Sequence, residues 1–178
     1  VEGTGKITIN GKDIEEVLKL NKTAIMLVPE ISLTPQIVGK FISRFGNVIS
    51  VLHSRLSDNE RYDEYRKITK GESKIVIGTR SAIFVPFTNL GIIIIDEDHT
   101  PSYKQEHNRR YSAKDISISR SNYHKCPVVM GSATPSLETF ARAGNNVYKL
   151  LVLDSRVGNR TMPLVSIVDM KEEVKKGN

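Results

Sequence analysis

The sequence predicts an α/β fold: a mostly parallel, doubly wound sheet flanked by helices. Three observations carry that expectation. Short β-branched runs recur without polar alternation, the pattern of strands buried on both faces. Segments with helical spacing and visible start signals lie between those runs. With 178 residues, 39% of them hydrophobic, the chain is long enough for one core that buries roughly 70% of its unfolded surface.

Taken in order, Ala24–Val28 is the first strand candidate. Thr34-Pro35 follows as an N-cap with proline at the first helical position, leading into Ile37, Val38, Phe41, Ile42 and Phe45. Val48–Leu52 is the second strand, and Ser57-Asp58-Asn59-Glu60 has the spacing of a capping box, with Gly71 as the stop. Lys74–Ile77 and Ile92–Ile95 are the next strands. Ser112–His124 reads as a serine-rich helix carrying Ile116 and Ile118, and Val128–Met130 as the fifth strand. Thr134-Pro135 is expected to open a helix that ends near Gly144. Beyond Asn146 come the apolar run Val147–Leu153, a loop-like stretch Asp154–Met162 and a short strand candidate Val165–Met170. The charged Lys171–Asn178 has no apolar anchor and is expected to fray or lead into more protein. Residues 1–146 are read as one domain and 147–178 as a continuation from it.

The single cysteine, Cys126, excludes a disulfide framework and a cysteine-rich zinc site in this chain. His53, His99, His107 and His124 lack zinc-ligand spacing. No apolar run approaches the ~20 residues of a membrane span, so no membrane partner is expected. Val1–Asn10 has no apolar stretch of the signal-peptide kind, and a start on Val1 suggests a fragment or processed product. The expected compartment is the cytoplasm. Net charge is +6. Between Thr100 and Lys125 six cations (Lys104, Arg109, Arg110, Lys114, Arg120, Lys125) face two anions (Glu106, Asp115), a surplus of four. Tyr103, Tyr111 and Tyr123 are interleaved with them. Such a stretch either holds phosphates and stacks bases, or is a solvated surface.

Five further motifs carry candidate chemistry, four of them at strand ends and one at the start of the chain. Ile92-Ile93-Ile94-Ile95-Asp96-Glu97-Asp98-His99 carries a buried strand into adjacent carboxylates. In a nucleotide site the first acid holds Mg²⁺ and the second orients the attacking water; otherwise the acids cap a loop. Met130-Gly131-Ser132-Ala133-Thr134-Pro135 offers hydroxyls that either bond the acidic cluster or serve as an ordinary N-cap. Gly3-Thr4-Gly5-Lys6 has part of a phosphate-cradling loop, whose backbone N–H groups and lysine meet phosphate oxygens, or is a flexible end. Leu27–Gln36, a strand passing into a helix through a polar turn, and Gly78-Thr79-Arg80-Ser81 after the third strand either grip phosphates, with Arg80 as a ligand, or simply connect elements.

In this order the motifs resemble the first RecA-like lobe of superfamily 2 helicases, a P-loop NTPase lobe. Among these the chain is most similar to the primosomal protein N′ family of bacterial replication-restart DNA helicases. The most specific stretches are Val28–Gln36, Leu52-His53-Ser54 with Leu56–Tyr65, Gly78–Phe87, Ile95–Gln105, Arg110-Tyr111 and Gly131–Thr139. The stretch Arg156–Asp169 resembles that family's continuation toward a zinc-binding insertion. The resemblance implies ATP and Mg²⁺ as cofactors, with Gly3, Thr4, Gly5 and Lys6 on the phosphate loop. Asp96 falls on the metal ligand and Glu97 on the water-activating acid. His99, Ser132 and Thr134 fall on the elements that couple hydrolysis to DNA movement. Tyr103, Lys104, Gln105, Arg110 and Tyr111 fall on the aromatic-rich DNA-sensing loop, and Arg80 joins the DNA contacts. The family's zinc has no ligands in this chain. Its implied partners are single-stranded and forked DNA, replication-restart proteins and single-stranded-DNA-binding protein, and its activity is ATP-driven 3′-to-5′ translocation.

Three departures stand out. The family's third acid, usually glutamate, is Asp98; Arg109 stands where a Trp or Pro is usual; and Ile7 replaces the Mg²⁺-binding threonine. Ile7 has no oxygen for a metal, which keeps open a non-catalytic DNA-binding or partner-docking module with a decayed nucleotide loop. Another nucleic-acid-stimulated superfamily 2 ATPase also remains open. Asp96-Glu97 and Ser132-Ala133-Thr134 favour an ATPase.

Overall fold

A computed structural model of the chain describes residues 12–106 and 110–152. Among the described residues, seven strands form two sheets: β1 (Thr23–Leu27), β2 (Ile49–Leu52), β3 (Ile75–Gly78), β4 (Leu90–Asp96) and β7 (Val128–Gly131) make the larger one. Its order is β2-β3-β1-β4-β7, and every neighbouring pair is parallel. β5 (Lys104–Gln105) and β6 (Tyr111–Ser112) form a small antiparallel ladder. The helices are α1 (residues 12–19), α2 (Pro35–Phe45), α3 (Asp58–Thr69), α4 (Ala113–His124) and α5 (Leu137–Gly144).

The two-residue period of a strand divides the core into two layers. Ala24, Met26, Ile75, Ile77, Ile92 and Ile94 pack with Ile14 of α1 and Phe41 of α2. Ile25, Leu27, Val76, Ile93 and Ile95 point the other way, onto Ile68 of α3 and Ala113 of α4. The doubly wound, mostly parallel expectation is what is found, and all five predicted strands are present with ends shifted by one or two residues.

Local stereochemistry explains the helix limits. Thr34 caps α2 and accepts from Ile37 N at 3.4 Å. Ser57 and Glu60 form a reciprocal capping box on α3, with Glu60 Oε2 accepting from Ser57 N at 2.9 Å. Those bonds, first from the Ser57 backbone and then from its side chain, hold the Glu60 carboxyl below its usual range. α3 stops in a Schellman arrangement: Gly71, at φ 73°, donates to Ile68 O, and Glu72 N donates to Lys67 O.

One expectation is corrected. α5 does not open at Thr134-Pro135: its N-cap is Ser136, which accepts from Thr139 N at 3.2 Å. Residues 147–152, apolar in sequence, form no regular element and are mostly exposed. The β5–β6 ladder and the 3₁₀ turn Arg80–Phe84 were not foreseen. The remaining stretch of the predicted continuation and its strand at Val165–Met170 lie outside the described residues.

Gly78 ends β3 where the backbone turns into that 3₁₀ segment. A β-carbon there would stand 2.5 Å from Leu52 O and 2.7 Å from Ala82 Cβ. Gly78→Ala is therefore expected to destabilise the fold by ~1–3 kcal/mol through overpacking, read as a lower denaturant midpoint at unchanged slope.

Candidate functional site

Because all five strands of the larger sheet are parallel, their carboxyl ends share one edge, where ligands of open α/β sheets gather. β4 delivers Asp96 to that edge opposite Gly131 of β7. A β-carbon on Gly131 would lie 3.7 Å from Asp96 Oδ1, so bare backbone flanks the carboxylate. Glu97 follows with φ 48°, an uncommon left-handed conformation for a non-glycine residue. That kink sends the chain back across β7: Asp98 N donates to Gly131 O at 3.0 Å, and Thr100 N to Glu97 O at 2.9 Å.

Asp98 turns inward and is only 2% exposed. Its Oδ2 accepts from Lys114 Nζ at 2.9 Å and from Thr139 Oγ1 at 2.8 Å, so the buried charge is both paired and hydrogen-bonded. His99 turns outward, with Nδ1 2.7 Å from Ser132 Oγ and 3.5 Å from Glu97 Oε2. Ser132 Oγ also accepts from Thr134 N at 3.0 Å. The structure thus brings Asp96, Glu97, His99, Ser132 and Thr134 together across the ends of β4 and β7. Gly3, Thr4, Gly5 and Lys6, with Ile7, lie outside the described residues.

The basic, tyrosine-bearing stretch divides. Lys104 and Arg110 are exposed and Tyr111 is half-buried at the small ladder. Tyr111 stacks edge-on with Phe84 at 5.1 Å, and the Arg80 guanidinium lies 5.6 Å from its ring centre. Arg80 Nη1 donates to Ser102 O at 3.1 Å and Lys104 O at 2.7 Å, so this arginine fastens the loop onto the body. Tyr103 is a correction: expected as a stacking ring, it is 1% exposed and sits in the core. Its hydroxyl donates to Asp96 O at 2.6 Å. Burial, then the nearby charges of Asp96, Glu97 and Asp98, push its phenol well above the usual value of 10.0.

Charge counting also placed Lys114 and Arg120 on the basic surface, yet both are committed within the fold. Lys114 neutralises Asp98, and Arg120 donates to the carbonyls of Ile83, Val85 and Phe87. Burial lowers the Arg120 pKa below its ordinary value. Lys114, Thr139 and Phe84 are the residues the sequence reading did not assign to the site. A buried acid predicts some cationic partner, but nothing in the spacing selects Lys114 among six cations.

Asp96 fits Mg²⁺ by donor chemistry, since that ion takes hard oxygens and is usually held by one or two carboxylates together with substrate phosphates. Among the described residues, no group of three or more His, Cys, Asp or Glu is arranged to hold a metal by itself, and no helix is long and apolar enough to cross a membrane.

A family model described as DEAD/DEAH box helicase matches residues 2–143. The replication restart protein PriA of Bacillus subtilis is 58% identical over 178 residues, which cover 100% of this chain and 22% of that protein. PriA of Haemophilus influenzae is 47% identical over 173 residues, 97% of this chain and 24% of that protein. The chain therefore spans under a quarter of the length of these relatives. Among solved structures, S. cerevisiae Dbp5 bound to RNA and ADP BeF3 aligns at TM-score 0.50 and 18% identity, over 87% of this chain and 37% of that one, a likeness of fold.

Tyr103 gives a direct test of the site's anchoring. Tyr103→Phe removes the bond to Asp96 O and is expected to cost ~0.5–1.5 kcal/mol. Because folding raises this phenol's pKa, its contribution is complete below the unfolded value near 10.0 and is lost as pH rises through the folded value. In an ultraviolet phenolate titration of the folded chain, Tyr103→Phe should leave the amplitude unchanged; an amplitude reduced by one phenol would mean that Tyr103 is accessible.

Proposed function

The chain belongs to the DEAD/DEAH box helicase family, and from that premise we propose that it is the first motor lobe of a bacterial replication-restart helicase. The observation that carries the reading is the end of β4, where Asp96 and Glu97 stand beside a His99–Ser132 bond. In this reading Asp96 would hold Mg²⁺, which would supply charge neutralisation at the phosphate oxygens of ATP. Glu97, carried outward by its left-handed backbone, orients the attacking water and accepts its proton. His99 and Ser132 tie that acid's neighbourhood to the segment leaving β7, so a change at the phosphates reaches both strands. Gly3, Thr4, Gly5 and Lys6 supply the phosphate loop.

Single-stranded DNA is the proposed polymer, held by the exposed Lys104 and Arg110 and by the ring of Tyr111. Arg80 supports this surface by fixing the loop and cradling Tyr111, a positioning role in place of the phosphate contact expected for it. For the longer polypeptide we infer ATP-driven 3′-to-5′ translocation on forked DNA in the cytoplasm, alongside replication-restart proteins and single-stranded-DNA-binding protein. Zinc and the second motor lobe belong to that longer polypeptide. The 178-residue chain alone is expected to unwind little.

Two measurements test this. Asp96→Asn should weaken Mg²⁺-dependent ATP binding roughly tenfold (~1.4 kcal/mol) or more, while Ile7→Thr should tighten it. Unchanged nucleotide affinity in Asp96→Asn would sink the motor-lobe assignment in favour of a non-catalytic module. Across a salt series, Tyr111→Ala should cost single-stranded DNA binding ~1–3 kcal/mol. Arg110→Ala should instead lower the log–log slope by about 0.7 of a unit. If neither change alters binding, the loop is not the DNA surface.

A further inference from the structure

Asp98 lies two residues after Asp96 and joins three parts of the site, two through one carboxylate oxygen and the third through its backbone N–H. The first is the ladder: Lys114, which donates to Asp98 Oδ2 at 2.9 Å, is the second residue of α4 and follows Ser112, the β6 residue paired with Lys104. The second is the segment behind Ser132: Thr139, donating to the same oxygen at 2.8 Å, stands in the first turns of α5 and is also bonded to the cap residue Ser136. The third is β7 itself, through the Asp98 N–H on Gly131 O at 3.0 Å.

We propose that Lys114 is a positioning residue that couples the β5–β6 ladder to the acidic nucleotide site, acting through Asp98 with Thr139 as a second strut. The physical reason is the burial of the charge. A carboxylate exposed by only 2% keeps its place while its ammonium partner stays. A shift of the ladder carries Lys114 with it, and Asp98 must follow the cation or reach water. Glu97 is the adjacent residue and already occupies a left-handed conformation, so displacement of Asp98 re-aims it. DNA on the ladder residues Lys104 and Tyr111 and nucleotide at Asp96 therefore bias one shared contact, and the coupling acts in both directions. The inference rests on the motor-lobe reading and deepens it.

The test measures affinity of the chain for a fluorescent oligothymidylate strand, with and without saturating Mg²⁺ and adenylyl imidodiphosphate. Wild type is expected to show the two affinities differing by about fivefold or more. The double variant Asp98→Asn/Lys114→Met removes both charges together, which keeps the fold far better than removing one. It should bind each ligand alone within about twofold of wild type, while the ratio collapses toward one, the signature of lost coupling. Lys114→Arg, which keeps the cation, should keep the ratio. A clasp that is only structural would lower the melting temperature or weaken both ligands with the ratio intact, and that result overturns the proposal. Wild type that binds both ligands with a ratio of one also overturns it, leaving the motor lobe standing. Wild type that binds neither removes the motor-lobe reading and this inference with it.

Discussion

β4 runs through the middle of a parallel sheet, with β1 on one side and β7 on the other. Ile92 and Ile94 are buried in one layer, Ile93 and Ile95 in the other, so no position along this stretch has access to water. A carboxylate cannot enter such a strand without a large desolvation cost. The first residue able to carry charge is the one that emerges, Asp96, and the pairing with Gly131 fixes where it emerges. The core thus sets where the acidic cluster begins. The buried hydroxyl of Tyr103 then holds the Asp96 carbonyl from beneath, tying the loop that follows to the same point.

Electrostatics acts here at two depths. The outward pair of side chains, Glu97 and His99, meets solvent and the Ser132 hydroxyl. The inward acid, Asp98, meets a lysine and a threonine in near-complete burial. Surface ion pairs such as Lys19–Glu16 and Arg142–Glu138 are exposed and contribute little, whereas removing one partner of a buried pair strands the other. The positive balance of the 100–125 region must be divided in the same way. Lys114 and Arg120 serve the fold, and among the described residues the exposed cations of that region are Lys104, Arg110 and Lys125.

What was legible in the sequence follows from the range of each interaction. Strands β1, β2, β3, β4 and β7 were readable because unbroken β-branched runs have few alternatives to double-sided burial. The caps at Thr34 and Ser57 were readable because a cap and its partner lie three residues apart. The start of α5 was not. Ser132, Thr134 and Ser136 are all competent caps within five residues, and proline after Thr134 favoured the wrong one. The ladder of β5 and β6 is two residues deep, too short for a period to show. Tyr103 and Arg120 were misplaced for a different reason. Their partners are backbone carbonyls, seven residues away for Tyr103 and 33 to 37 away for Arg120, and backbone carries no sequence signature. The acids, His99 and the hydroxyl segment were legible through resemblance and spacing together, whereas the Lys114–Asp98–Thr139 contact needed the fold.

The structure also distributes its rigidity unevenly. β1, β3 and β4 are buried over nearly their whole length, and α2, α3 and α4 each contribute buried residues to a layer. α5 contributes none: Leu137 is 88% exposed and Phe140 57%, and the described side-chain bonds joining it to the rest of the site run through Thr139. An element held by a few polar contacts rather than an apolar seam shifts at low free-energy cost. In the proposed motor lobe that asymmetry would have a use. The strand presenting the acids would stay fixed so that phosphates meet a preorganised site, while the segment behind Ser132 would be free to respond. The fixed part is an isoleucine strand between two neighbours, and the looser part is a short helix whose Thr139 bonds the buried Asp98 and its partner Lys114.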